Sequence, residues 1–122
     1  MTYPELYMAL QYNVYIIQFI KKNGESRIML ATRDINICSM KYGFITNGML
    51  SKRDERCDIS NGNMAVIDLE IGEPRQFSID SLTDVRGLAE FDASLAQLDS
   101  IEKIDRAINV VKNLRNNGDK LW

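Results

Sequence analysis

Apolar residues alternate along both sides of Asn23-Gly24, from Val14 to Leu30. An Asn-Gly pair between alternating runs is a strong hairpin signal, because both residues tolerate the positive φ of a tight turn. Two strands are therefore predicted, from about Asn13 to Lys22 and from Glu25 to Arg33. In the first, Val14, Ile16 and Gln18 point one way and Tyr15, Ile17 and Phe19 the other, so one face and much of the second are built for burial. A second alternating run, Met64 to Phe77, turns at Gly72-Glu73-Pro74. Met64, Val66, Asp68 and Glu70 alternate there with Ala65, Ile67, Leu69 and Ile71, which predicts one wet face. Leu82, Val85 and Leu88 supply a short last strand or turn that closes the sheet. Five short strands of this kind predict a small barrel or curled sheet.

The period is helical at both ends. Thr2-Tyr3-Pro4-Glu5 reads as a capped helix start, and the helix runs to about Gln11. Near Asp92 the pattern changes: Ile101, Ile104, Ile108, Val111 and Leu114 recur at three and four residues. A C-terminal amphipathic helix follows, from about Ser100 to Asn116, with Asp99 and Glu102 resembling a capping box and Asn117-Gly118 as the stop. Its charged side, Glu102, Lys103, Asp105, Arg106, Lys112 and Arg115, is expected to face solvent. Its Ile/Val stripe either covers an open end of the barrel or joins a second copy in a homodimer. Phe91, Leu95 and Leu98 lead in through an earlier turn or short helix. Trp122 is an anchor for the tail or an exposed contact residue. Between the hairpins, Asp34 to Asn63 is the least regular stretch, its apolar residues broken by Gly43 and Gly48, and it reads as a surface loop with a few apolar anchors. The domain reading is a helical segment over 1–12, an SH3-like barrel over 13–90 and a helical extension over 91–122.

Composition narrows the class. A chain of 122 residues, 45% hydrophobic and 26% charged, is long enough to bury one core and too apolar for wholesale disorder. No apolar run approaches the roughly 20 residues of a membrane span, and Met1 to Leu10 lacks the features of a secretory signal. A cytosolic protein is expected, and in a reducing compartment Cys38 and Cys57 are buried or idle thiols rather than a bridge.

The net charge of −2 conceals blocks. From Lys21 to Arg56 eight basic residues face four acidic ones, a local charge of +4; from Cys57 to Asp105 eleven carboxylates face three bases, a local charge of −8. Arg106 to Trp122 returns to +3. Folded into opposed faces, such blocks would meet phosphates on one side and a basic partner on the other; interleaved on separate strands, they would cancel.

The chain has no histidine. Ser-His-Asp and Cys-His catalysis are excluded, as are imidazole metal ligands. No phosphate-binding glycine loop occurs either, so no catalytic residue, metal or cofactor is assigned. Asp68, Glu70 and Glu73 are paired carboxylates on and after one strand, read as a solvated strand face rather than a cation site. Arg27, Arg33 and Arg75 each end or interrupt an apolar strand. They either clamp a phosphate or carboxylate bidentately or pair with Asp34, Asp68 or Asp80. Lys41, Tyr42, Phe44, Lys52, Arg53 and Arg56 loosely form the basic surface with interleaved aromatics that nucleic-acid binding uses.

The strand sequences Gly24-Glu25-Ser26-Arg27-Ile28-Met29-Leu30-Ala31-Thr32-Arg33, Asn61 to Leu69 and Arg75 to Leu82 resemble a family of small proteins of large tailed bacteriophages, described as WYL-like with an Sm-like SH3 β-barrel. The likeness spans about Asn13 to Val85 and lacks a literal Trp-Tyr-Leu triplet. It implies a mainly β fold with α, a small SH3-like (Sm-like) barrel of about five strands flanked by the two helices. It also implies a non-enzymatic phage accessory protein in the host cytoplasm, which binds a host or anti-phage defence protein and inhibits or redirects it. The alternative is a nucleic-acid or nucleotide-signal binding barrel using Arg27, Arg33, Lys41, Tyr42, Lys52, Arg53, Arg56 and Arg75.

Overall fold

The computed structural model describes residues 1–43 and 45–117, and the side chains of residues 45–47 are not among those described. Phe44, Gly118 and Trp122, which carry expectations above, lie outside the described residues. The first hairpin forms as its pattern predicts: β1 (Val14–Ile20) pairs antiparallel with β2 (Ser26–Thr32), in a register that sets Phe19 opposite Arg27. Gly24 sits at φ 86° in the turn, which the amide of Gly24 closes by bonding the Lys21 carbonyl at 2.9 Å. β3 (Asn63–Asp68) and β4 (Glu73–Ser78) make the second hairpin, turning through residues 69–72, and β5 (Leu82–Gly87) returns to the outside of β1. The order is β4-β3-β2-β1-β5, all antiparallel, and the sheet is not closed: no pairing joins β4 to β5 among the described residues.

Both faces of this sheet are buried, which corrects the wet face expected for β3. Five successive residues, Met64 to Asp68, are inaccessible. One face gathers Val14, Ile16, Ile28, Leu30, Ala65 and Ile67 with helices α2 (Ile35–Tyr42) and α4 (Ile101–Asn116); the other gathers Ile17, Phe19, Met29, Ala31, Val66 and Phe77 with Leu6 and Leu10 of α1 (Tyr3–Tyr12). Layers on both sides of an antiparallel sheet leave little surface for a polar face.

The segment expected to be an irregular loop is largely helical. Asp34 caps α2 by accepting the Asn36 amide at 3.0 Å, and Gly43 ends it at φ 79°. α3 (Ile45–Glu55) follows. Ile37 and Cys38 of α2 and Leu50 of α3 are the buried anchors of this segment. The buried Cys38 thiol is pushed up to about 12 by its burial, as an inert core thiol should be. Both cysteines are free.

α4 covers a sheet face rather than a barrel end, with Ile104, Ala107, Ile108 and Val111 buried in its own chain. Its cap is Ser100, whose hydroxyl accepts from the Lys103 amide, and Asp99 pairs with the Lys103 side chain at 3.0 Å instead. Arg115 was expected in solvent. It reaches across to Glu70, donating from Nη1 and Nη2 at 2.9 and 2.7 Å, and to the Ile28 carbonyl at 3.3 Å. These bonds hold the Glu70 carboxyl below its ordinary value. A lowered carboxylate pKa contributes stability that is present above the unfolded value of about 4.3 and lost as pH falls through the lower folded value. Acid titration of native stability should therefore show a loss of about 1 kcal/mol below pH ~4 that Glu70→Gln abolishes; parallel curves for the two proteins would reject the clamp.

The two outer strands are blunted. β4 carries Pro74, which has no amide to offer. On β5 the amides of alternate residues Val85 and Gly87 are bonded by the carboxylates of Asp84 and Glu90, at 2.8 and 2.9 Å. Arg86 holds both acids, at 3.1 and 3.4 Å. Carboxylates on an outer strand keep it from templating a second sheet. The double change Asp84→Ala, Glu90→Ala should increase self-association in sedimentation velocity relative to the parent protein; unchanged distributions would show that these acids guard nothing. Among the described residues, no helix is long and apolar enough to cross a membrane.

Candidate anion-binding cleft

Cross-strand partners in an antiparallel sheet share a face. The register therefore places Phe19 and Arg27 together, and sets Arg75 beside Val66 and Phe77 beside Met64, on the side that carries α1. Beyond α1 this end of the face forms a cleft of about 810 Å³. Its walls bring together Lys21 and Lys22 from the β1–β2 turn, Arg27 from β2, Arg75 from β4 and Arg53 from α3. No carboxylate is among the described residues that line it.

Behind the cleft lies Asp68, at 1% exposure the most deeply buried carboxylate among the described residues. Its Oδ1 accepts the Glu70 amide at 3.1 Å, while Oδ2 lies 3.2 Å from Arg75 Nε and 3.5 Å from Arg27 Nη2. The Arg75 contact is an ion pair without hydrogen-bond geometry. Burial pushes the Asp68 carboxyl above the ordinary aspartate value, against the opposing pull of the Glu70 amide and the two arginines. The solvated strand face read from the alternation is thus a buried charge between two guanidiniums. Arg27 and Arg75 remain 28% and 40% exposed, so each still offers N–H groups to the cleft. Arg53 Nη2 stands 3.5 Å from the Pro74 carbonyl, and Lys21 has a loose rim pair with Glu25 at 3.7 Å.

The other residues of the predicted binding set go elsewhere. Arg33 is 6% exposed. It donates from both Nη atoms to Asp54 at 3.0 and 2.9 Å, to the Ala65 carbonyl at 2.6 Å and to the Tyr7 hydroxyl at 3.0 Å, and its guanidinium lies 4.4 Å from the Tyr7 ring centroid. That is a tie between α1, α3 and β3. Lys41 pairs with Asp105 of α4 and lies over the Tyr42 ring. Tyr42 donates its hydroxyl to the Leu69 and Glu70 carbonyls, at 2.7 and 3.0 Å. Lys52 and Arg56 are exposed and do not line the cleft. Of eight predicted binding residues, Arg27, Arg53 and Arg75 converge. Lys21 and Lys22 join them, a role that their place at the tip of the Asn-Gly hairpin, across the strand pair from Arg27, could have signalled.

A smaller cleft of about 360 Å³ lies at the other end of β1, between α2 and the turns after β5. Its walls are mainly apolar, with Ile37, Leu88 and Leu95 among them, and Asp34 and Asp99 are the charged members among the described residues. None of the described residues that line it is a cation that could gather an anion. Among the described residues no three His, Cys, Asp or Glu side chains stand close enough to hold a metal ion. Comparison of the chain with protein-family models, with curated proteins and with solved structures returned no match.

Proposed function

We propose that the protein is a non-catalytic binding module that captures a phosphate-bearing ligand in the basic cleft. The observation that carries this reading is the convergence of Lys21, Lys22, Arg27, Arg53 and Arg75 from a turn, two strands and a helix on one concavity. Scattered surface cations are ordinary, whereas cations gathered in a walled cleft focus field and raise local anion concentration. Asp68 holds the two strand arginines in place before any ligand arrives, and such preorganisation lowers the entropic cost of binding. The reading is the nucleotide or nucleic-acid alternative drawn from the sequence. The strand order β4-β3-β2-β1-β5 is that of a five-stranded barrel opened between β4 and β5, which supports a curled relative of the Sm-like barrel. With the likeness to tailed-phage proteins, capture without turnover is the means by which the chain would inhibit or redirect a host component.

Inorganic tripolyphosphate is a suitable probe, since it carries phosphate charge and nothing else. At a hundredfold excess over Kd it should stabilise the protein by about 2.7 kcal/mol, a Tm rise of roughly 10 °C for a domain of this size. Arg27→Ala with Arg75→Ala should remove the rise and Lys52→Ala with Arg56→Ala should keep it. A ligand recovered from the protein purified out of its native setting should come back chemically unchanged. No rise with tripolyphosphate, or equal loss in both double variants, would reject the cleft as the site; a co-purifying protein that holds on without the arginines would favour direct inhibition of a protein partner.

A further inference from the structure

Resting on that reading, we infer that the cleft takes a compact small molecule bearing two or more phosphate groups, of the nucleoside polyphosphate kind, rather than a strand of nucleic acid.

Size comes first. A cleft of about 810 Å³ falls within the roughly 300–1,000 Å³ of small-molecule sites. It is also bounded. Its border is made by Lys21, Lys22 and Asn23 of the hairpin turn, by Gln76, Phe77, Ser78 and Ser81, and by Arg53 with Pro74. A polymer needs a groove that continues past the site, and the exposed cations of the adjoining chain, Lys52 and Arg56, are not part of this wall.

Second, among the described residues the cleft lacks the platform on which single strands are held. Proteins that bind them stack successive bases on exposed aromatic rings, each stack contributing about 1–3 kcal/mol. The aromatic rings here, Phe19 and Phe77, lie 5.7 Å apart and tilted, and are only 7% and 4% exposed. They form a floor packed with Met29 and Met64, with no ring face free for a base.

Third, the charge matches a small polyanion. Five cations stand against Asp68 and the rim Glu25, a net +3. Two phosphate groups carry roughly −3 to −4 at neutral pH, so a bisphosphorylated or triphosphorylated ligand neutralises the cleft and a single phosphate leaves it under-compensated. The two arginines supply planar forks suited to bidentate phosphate contact. Asn63, Gln76 and Ser78 give the uncharged body of the ligand both donors and acceptors.

Isothermal titration of the full chain at moderate salt, with ATP, AMP and a 12-nucleotide oligothymidylate as probes, separates the outcomes. The expected result is one site, ATP at least ~10-fold tighter than AMP, and the oligonucleotide no tighter than AMP. Arg27→Lys and Arg75→Lys keep the charge and the fold, the latter checked by circular dichroism, yet should each weaken ATP at least ~5-fold because the fork is lost. Equal affinity for ATP and AMP, or arginine-to-lysine variants that bind ATP as well as the parent, would overturn the inference. Oligonucleotide binding that exceeds ATP and grows with length would overturn it too while leaving the phosphate-binding reading standing. No binding of any probe would remove both.

Discussion

Arg33→Ala should lower the free energy of unfolding by about 3 kcal/mol, the largest single loss expected among the charged residues. The guanidinium is 6% exposed and ties three elements together through Asp54, the Ala65 carbonyl and the Tyr7 hydroxyl. Removing it leaves a buried carbonyl without its donor and frees α1 and α3 from β3. The reason is not attraction alone. A buried ion pair owes much of its measured worth to the penalty of leaving its partners unsatisfied, so a shape-preserving apolar replacement should cost less. Arg33→Met combined with Asp54→Leu is therefore expected to recover at least half of the loss, since it refills the volume beside Tyr7 and removes the stranded carboxylate. Asp54→Ala should be comparably damaging to Arg33→Ala, because it strands the buried cation. Urea midpoints at constant m test all three; an Arg33→Ala midpoint within about 0.5 kcal/mol of the parent would show that the network is incidental.

Gly72→Ala is the second large effect. Gly72 has φ 72° in the turn joining β3 to β4, and an added Cβ would stand 2.5 Å from the Tyr42 ring. The left-handed conformation costs a side chain about 1 kcal/mol or more, and overpacking against the ring adds about 1–3 kcal/mol. The ring cannot yield freely, because its hydroxyl is fastened to the Leu69 and Glu70 carbonyls of the same turn. A total of about 3 kcal/mol is expected. In a Tyr42→Ala background the steric part should vanish and only the backbone part remain, so the cost of Gly72→Ala should fall to about 1 kcal/mol. Equal costs in both backgrounds would mean that the ring is not the obstacle.

These two sites differ in how far they could be read from residues. Gly72 lies in a turn that its Gly-Glu-Pro triplet announces, yet the ring packed on it comes from Tyr42, 30 positions away. Arg33 was visible as an arginine ending an apolar strand, and a carboxylate partner was foreseen. That partner is Asp54, which lies on a helix in a stretch whose residues read as loop. The candidate cleft was legible in the same partial way. Arg27 and Arg75 stood out for interrupting apolar strands, and their pairing with Asp68 was among the alternatives. The alternation of β3, however, assigned Asp68 to solvent, because a period of two says that faces differ and not which of them is covered.

Local patterns are sufficient where neighbours in sequence do the physical work. The Asn-Gly hairpin and the amphipathic α4 follow from turn chemistry and from periods of 2 and 3.6, and each lies within a residue or two of its expected bounds. What covers each face is a long-range matter. Burial of both sheet faces depends on α1 docking on one side and α2 with α4 on the other, contacts between residues tens of positions apart. Among the described residues β5 pairs with β1 and no pairing joins it to β4, and the five cations converge only once β1, β2, β4 and α3 are set side by side. A strand's alternation and a residue's charge are properties of the chain, whereas the dielectric around a charge and the company it keeps exist only after packing.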